Sequence, residues 1–240
     1  KGHEVISFDI LHNNKSSDFQ QFNGSILNPY DLDKAVKNCD MIVHLAAMVG
    51  VELTEKKRLE CLEINIQGTK FILDAAVKQK VKKVFFSSSS EVYGDQEVHP
   101  QPESYRGCVN PIGIRSCYDE GKRFAETLCF DYQRMNGVEV RVARIFNTYG
   151  PRMLIDDGRV VGNFIVQALR GEPLTLYGDG SQTRSFCFVS DLIEGLIRLM
   201  NGADTGPINL GNPDEFTIRQ LAELVRQRIN PQLPLIEKPL

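Results

Sequence analysis

Tyr118 and Lys122 stand four residues apart in SCYDEGKRFAETL, and SSSSEVYG, Ser87 to Gly94, lies about one strand-helix unit upstream. A spacing of four puts both side chains on one face of a helix, with the ammonium beside the phenol. A free tyrosine ionises at about 10, and a neighbouring cation lowers such a value by roughly one to three units. The pair is therefore expected to supply a phenolate usable as a base near neutral pH. Taken alone, the spacing is better read as an amphipathic helix with a surface lysine. The motifs around it reverse that reading.

The elements that must position this pair are legible as alternating strands and helices. Val5 to Asp9, Met41 to Ala47 and Val84 to Ser88 are continuous apolar runs, as expected of buried strands. Between them lie a helix over Asp31 to Asn38 and a longer one ending near Lys80, in which Ile64, Gly68, Phe71, Ile72 and Ala75 recur at helical spacing. The Tyr118 helix is expected to stop at Asn136-Gly137, before a strand through Val138, Val140 and Val142 that leads to RIFNTYGPR. This order predicts an α/β fold with right-handed crossovers and a parallel, doubly wound, Rossmann-like sheet.

Beyond Pro151 the pattern changes. GRVVGNFIVQALRGEP predicts a helix closed by Gly171, and LTLYGDGSQTRSFCFV two short strands around a Gly-Asp-Gly turn. Ser190 is expected to cap the helix DLIEGLIRLM, and Thr217 with Gln220 to form a capping box on the next. The division expected is a dinucleotide-binding domain over residues 1–150 and a smaller mixed α/β substrate-binding lobe over 151–240.

Composition narrows the partners. The 240 residues are 42% hydrophobic with a net charge of −3, enough apolar content for a sizeable core. No basic run gives an electrostatic footprint for nucleic acid or anionic lipid, so neither is an expected partner. The histidines at 3, 12, 44 and 99 are scattered and the six cysteines form no Cys-x-x-Cys pair, so no metal site is expected. Cysteines in apolar stretches suit free thiols in a reducing compartment, and with no signal peptide or long apolar span the reading is cytoplasmic.

With parallel strands, SSSSEVYG, Tyr-x-x-x-Lys and RIFNTYGPR in this order, the chain resembles the extended short-chain dehydrogenases/reductases acting on nucleotide sugars, the epimerase/dehydratase family. Within it, HPQPESYRGCVNPIGIRSCYDEGKRFAETL, ARIFNTYGPRMLIDDGRVVGNFIVQALRGEPLT and QTRSFCFVSD most resemble the UDP-glucuronate decarboxylase, or UDP-xylose synthase, group. MIVHLAAMVGVE looks more like the general epimerase pattern, so the substrate expectation rests on the second half.

The resemblance implies oxidation at C4 of the sugar, loss of CO2 and re-reduction by the same NADH. Tyr118 would take the C4 hydroxyl proton, Lys122 would hold it anionic and bond the nicotinamide ribose, and Ser89 would bond the C4 oxygen. Ser90 and Glu91 stand where the resembling 4,6-dehydratases carry Asp-Glu. A serine cannot protonate a departing hydroxyl, so dehydration loses its donor, while Glu91 would disfavour a second carboxylate or manage a proton through water. Arg184 is implied for the C4 ketone and substrate carboxylate region, as a guanidinium suited to carboxylates.

Asn147, Arg159, Asn163, Tyr177 and Gln182 fall where such enzymes bind UDP or the sugar, although Tyr177 reads nearly as well as a core tyrosine. Asp9 matches the acid that bonds an adenosine ribose and favours NAD over NADP. Leu45, Ala46 and Ala47 would line the cofactor, and Ser25-Ile26 occupies a place usually held by Asp-Ile beside adenine. Gly121, inside the helix, reads as close approach of a substrate or partner helix, or as simple tolerance. The resemblance further implies a homodimer, a glycine-rich phosphate turn and first strand before Lys1, and a tail after Leu240. Two alternatives stay open: another UDP-sugar reaction such as 4-epimerisation, and an inactive nucleotide-sugar-binding module.

Overall fold

The computed structural model describes residues 2–11, 19–95, 97–156 and 158–239. They form two compact units. The first comprises the chain up to Val49, Leu53–Arg144 and Leu199–Ile208; the second comprises Gly50–Glu52, Ile145–Arg198 and the chain from Asn209. His12 lies outside the described residues.

In the first unit β1 (Ile6–Asp9) runs parallel to β2 (Gln20–Asn23). Helix α1 (Pro29–Ala35) starts with proline at its first turn and with the Asn28 side chain accepting from Tyr30 N–H at 3.1 Å. It begins and ends before the expected 31–38 span because these local caps set its register. β3 (Met41–His44) pairs in parallel with β4 (Lys83–Ser89), Met41 opposite Lys83 and His44 opposite Phe86. β3 is shorter than the sequence suggests: beyond His44 the chain leaves the ladder, and the Asn65 side chain takes both backbone groups of Met48, at 2.9 and 3.2 Å.

The expected single helix up to Lys80 is broken into α2 (Val51–Lys56), α3 (Arg58–Leu62), a π-helical turn over Glu63–Gly68 and α4 (Thr69–Lys78). The widened turn carries Asn65; such turns recur at functional sites. After β4 come a 3₁₀ turn (Ser90–Tyr93), α5 (Ser116–Asn136) and β5 (Glu139–Ile145). Gly137, left-handed at φ 72°, ends α5. Leu73, Ala76, Val84, Phe86, Ala125, Val140 and Val142 form the core beneath these strands.

The second unit contains β6 (Thr148–Tyr149), α6 (Val160–Arg170), β7 (Leu174–Tyr177), β8 (Thr183–Ser185) and β9 (Cys187–Phe188), then the body of α7 (Val189–Asn201), whose last turn belongs to the first unit, and the latter part of β10 (Ile208–Leu210). It closes with β11 (Glu215–Thr217), α8 (Ile218–Ile229) and β12 (Leu235–Lys238). The strand order of the main sheet is β10-β5-β4-β3. β7 and β8 flank the Gly-Asp-Gly turn without pairing with each other: β7 is parallel to β12, and β8 antiparallel to β11. Gly171 closes α6 in the left-handed conformation, and Thr217 and Gln220 form a reciprocal capping box. Ser190 is no cap: α7 already starts at Val189, and the Ser190 hydroxyl bonds Asp191 at 3.1 Å. Phe164, Leu174, Leu176, Ile218 and Ala222 make this unit's own core.

Among the described residues no helix is long and apolar enough to cross a membrane, and no group of three or more His, Cys, Asp or Glu is placed to hold a metal ion.

Candidate functional site

The serine run at the end of β4 divides its work. Ser87 donates to His44 C=O at 2.9 Å and Ser88 to Glu126 at 2.5 Å, so both fasten the strand to its surroundings. Glu126 is in turn held by Arg144 at 2.8 Å, and Arg144 donates to the Tyr93 hydroxyl at 2.9 Å. Ser89 is the hydroxyl tied to the chemistry: it accepts from Glu91 N–H at 3.2 Å and acts on the Tyr118 phenol to favour its ionised form. Gly94 and Gly107 make the turn after Glu91 possible. Both have positive φ, and a Cβ on either would lie 2.2 Å from Cys108 O or 2.6 Å from Val92 O.

Tyr118 and Lys122 share one face of α5, as their spacing requires. The electrostatics differ from expectation. The buried Lys122 ammonium donates to Ser87 C=O at 2.8 Å and sits 5.9 Å from the Tyr118 ring centroid. Burial lowers its own pKa to about 8. The Tyr118 phenol is pushed up rather than down, first by burial and then by the negative charges of Glu91 and Asp119, while the Ser89 hydroxyl acts the other way. The one-turn spacing puts the two groups on one helix face, but burial, not the ammonium, decides the phenol's ionisation.

Three residues around this centre were not singled out in the sequence. Asn65 clamps Met48 and also donates to Cys61 Sγ at 3.3 Å; a lone asparagine within a helical pattern gives no signal of this. Arg115 pairs with Glu91 at 3.3 Å. Burial, followed by Glu91, raises the Asp119 carboxyl to about 6. The latter two flank Tyr118 in sequence, which is the only hint the chain offers. Gly121 faces Asn65: an added Cβ would lie 3.5 Å from the Asn65 Cβ, an ordinary contact, so the close approach is that of the π-helical turn. His44 is buried with Nε2 3.0 Å from the Thr69 hydroxyl. Since Thr69 donates to Asn65 C=O at 2.7 Å, the proton lies on Nε2; burial, with Lys122 adding to it, lowers the ring's pKa to about 3.

The residues assigned to a cofactor by resemblance lie at the carboxyl ends of β1, β2 and β3, the edge where open α/β sheets take ligands. Asp9 is exposed and accepts Leu11 N–H at 2.8 Å. Leu45 and Ala46 are exposed and Ala47 half-buried, with the following residue held by Asn65. Ser25 accepts from Leu27 N–H at 3.2 Å. Ile26 is the exception: its side chain is buried in the core against Gly68, leaving only its backbone for a ligand. An exposed carboxylate at the end of β1, with small side chains after β3 and the buried Lys122 ammonium bonded to β4, fits the sugar and nicotinamide ends of a dinucleotide.

The second unit holds a cavity of about 260 Å³ lined by Asn147, Arg159, Tyr177, Gln182 and Arg184 together with Thr148, Met153 and Phe186. Tyr177 is 55% exposed, which decides against a core role for its ring. The Gln182 amide donates to Tyr177 C=O at 3.0 Å, and Arg184 to Thr183 C=O at 2.7 Å. Asn163 does not line the cavity; its amide donates to Gly158 C=O at 3.0 Å. Two guanidiniums, two amides and an open aromatic face suit an anionic ligand carrying a planar base.

A parallel sheet with serine, tyrosine and lysine gathered at the carboxyl end of one strand is the build of the short-chain dehydrogenase/reductase class. The chain belongs to the NAD dependent epimerase/dehydratase family, whose model matches residues 1–211. It is similar to UDP-glucuronic acid decarboxylase 3 of Arabidopsis thaliana, 59% identical over 196 residues, covering 82% of this chain and 57% of that protein. Among solved structures it is similar to UDP-glucose 4-epimerase of Thermotoga maritima with UDP-glucose, at a TM-score of 0.92 and 27% identity over 99% of this chain and 78% of that one. It is also similar to UDP-glucuronic acid 4-epimerase of Bacillus cereus in complex with UDP-glucuronic acid and NAD, at a TM-score of 0.84 and 26% identity over 98% and 78%. The chain spans a little over half the length of the curated relatives it matches.

Proposed function

We propose that the protein to which this chain belongs is an NAD-dependent UDP-glucuronate decarboxylase that forms UDP-xylose. The observation that carries this reading is the 59% identity to a UDP-glucuronic acid decarboxylase, over twice the 26–27% identity to the epimerases of known structure. Ser90 supports it, since no carboxylic acid stands there to protonate a leaving hydroxyl.

In this reading Ser89 and Tyr118 grip the sugar's C4 oxygen. Tyr118 accepts the C4 hydroxyl proton on oxidation and returns it on reduction. Bound NAD would supply the hydride acceptor and donor. Lys122, fixed by Ser87, adds its charge and bonds the nicotinamide ribose. The 4-keto acid then loses CO2: the C5–C6 bond breaks, its electron pair enters the C4 enolate, and C5 takes a proton. Glu91 disfavours a second carboxylate and so favours that departure. Asp9 bonds the adenosine ribose, with Ser25 and Leu45 to Ala47 beside the dinucleotide.

The second unit's cavity takes the UDP moiety, Tyr177 stacking on uracil, Arg159 and Arg184 meeting anionic groups, and Asn147 and Gln182 fixing orientation. Asn163 serves by holding Gly158 beside Arg159. Homodimerisation is part of the proposal and is supported by the exposed Phe124 and Met135 on α5. So is a cytoplasmic setting, supported by six free thiols. Mass spectrometry of the full-length protein with NAD and a panel of UDP-sugars tests the reading. UDP-xylose formed from UDP-glucuronate without net NADH is expected, whereas turnover of UDP-glucose or UDP-galactose alone overturns it.

A further inference from the structure

We propose that Arg115 is a positioning residue for this reaction, holding the Glu91 carboxylate in place and balancing the cluster of acids that surrounds Tyr118. The inference rests on the proposed function and adds to it a group that acts through Glu91. Its basis is geometric. Arg115 immediately precedes α5, and its carbonyl accepts the backbone N–H of Tyr118 at 2.9 Å and of Asp119 at 3.3 Å. From the same residue the guanidinium reaches Glu91 Oε2 at 3.3 Å. One residue therefore starts the helix that carries the tyrosine and grips the acid beside it.

The surroundings are short of positive charge. Asp119 has a buried carboxylate oxygen with no hydrogen-bond partner. It is acted on by Glu91 from the 3₁₀ turn, Asp95 from the following loop and Glu120 from α5, with Arg115 as the opposing cation. Glu120 has its own partner in Arg123 at 3.6 Å. Remove Arg115, and Glu91 and Asp119 become like charges in a half-buried place, where Asp119, already raised to about 6, holds its proton to higher pH. Glu91, no longer gripped, would lose its fixed position beside Tyr118, and its backbone N–H tether to Ser89 would pass that change to the Ser89 hydroxyl. A half-exposed ion pair contributes little to stability, so the fold does not require this contact.

The test compares Arg115→Gln and Arg115→Lys in the full-length protein. Carbon-13 NMR titration of aspartate carboxyls, with Asp119→Asn to assign the signal, should place the Asp119 midpoint near 6 in the wild type. In Arg115→Gln it should move up by about one pH unit or more, and in Arg115→Lys return toward the wild-type value. The acid limb of the kcat–pH profile on UDP-glucuronate should move in the same direction, with kcat below that limb falling about tenfold per pH unit moved. An unmoved Asp119 titration in Arg115→Gln overturns the inference. So does a loss of turnover with an unmoved pH profile that lysine fails to restore, which marks a purely structural contact. Because the titration uses no substrate, it judges Arg115 even if the wild type releases no CO2, a result that would count against the proposed function instead.

Discussion

Replacing Lys122 with methionine should make the protein more stable while ending its chemistry. Lys122 is only 3% exposed, and burial lowers its pKa from 10.5 to about 8. At about 1.4 kcal/mol per pH unit, that drop makes the charged side chain about 3 kcal/mol less favourable in the fold than in the unfolded chain. Methionine keeps the apolar stem and removes the charge, at the loss of one charge-assisted hydrogen bond to the buried Ser87 C=O, worth about 2 kcal/mol. The net gain expected at pH 7 is about 1 kcal/mol, or a rise in Tm of roughly 2–4 °C for a chain of this size.

The pH dependence fixes the sign. Below about 8 lysine is charged in both states and bears the full cost; between 8 and 10.5 the unfolded chain binds more protons, so wild-type stability rises with pH; above that the cost is gone. The advantage of Lys122→Met should therefore be complete at pH 7 and shrink as pH approaches 10. Thermal denaturation of both proteins across that range checks it, because groups common to both largely cancel in the difference. A methionine variant less stable than the wild type at pH 7, or a difference independent of pH, would refute the reasoning.

Tyr118→Phe removes only the phenol hydroxyl, so hydride transfer followed by NADH absorbance in a single turnover should fall about 10²–10⁴-fold with nucleotide affinities unchanged. Arg184→Ala should weaken UDP-sugar binding about 10–100-fold by calorimetry and leave NAD binding alone; unchanged kinetics would return that arginine to the status of a surface charge. Asn65→Ala strands both backbone groups of Met48, so urea denaturation should show a loss of about 2–4 kcal/mol, and NAD affinity should fall more than UDP affinity.

What the sequence made legible was whatever local chemistry decides. Gly137 and Gly171 end their helices because a left-handed residue is needed there, and Thr217 with Gln220 starts the next by satisfying each other's backbone N–H groups. The Tyr118–Lys122 spacing likewise survives because it is set by one helix. What depended on distant partners was not legible. β3 stops at His44 because a side chain from the π-helical turn captures Met48, and β7 and β8 find β12 and β11 rather than each other. Ile26 disappears into the core because Gly68 leaves room for it. The ionisation of Tyr118 belongs to the same class: helix spacing brings the ammonium close, but burial and the carboxylates of Glu91 and Asp119 decide the direction.

The central claim is that C4 is oxidised and re-reduced within one site, with CO2 lost in between. UDP-glucuronate carrying deuterium at C4, given to the full-length protein with unlabelled NAD, tests it most directly. The account predicts UDP-xylose that retains the deuterium at C4, together with one equivalent of CO2. UDP-xylose lacking the label, or a labelled product that keeps its carboxylate, would contradict it.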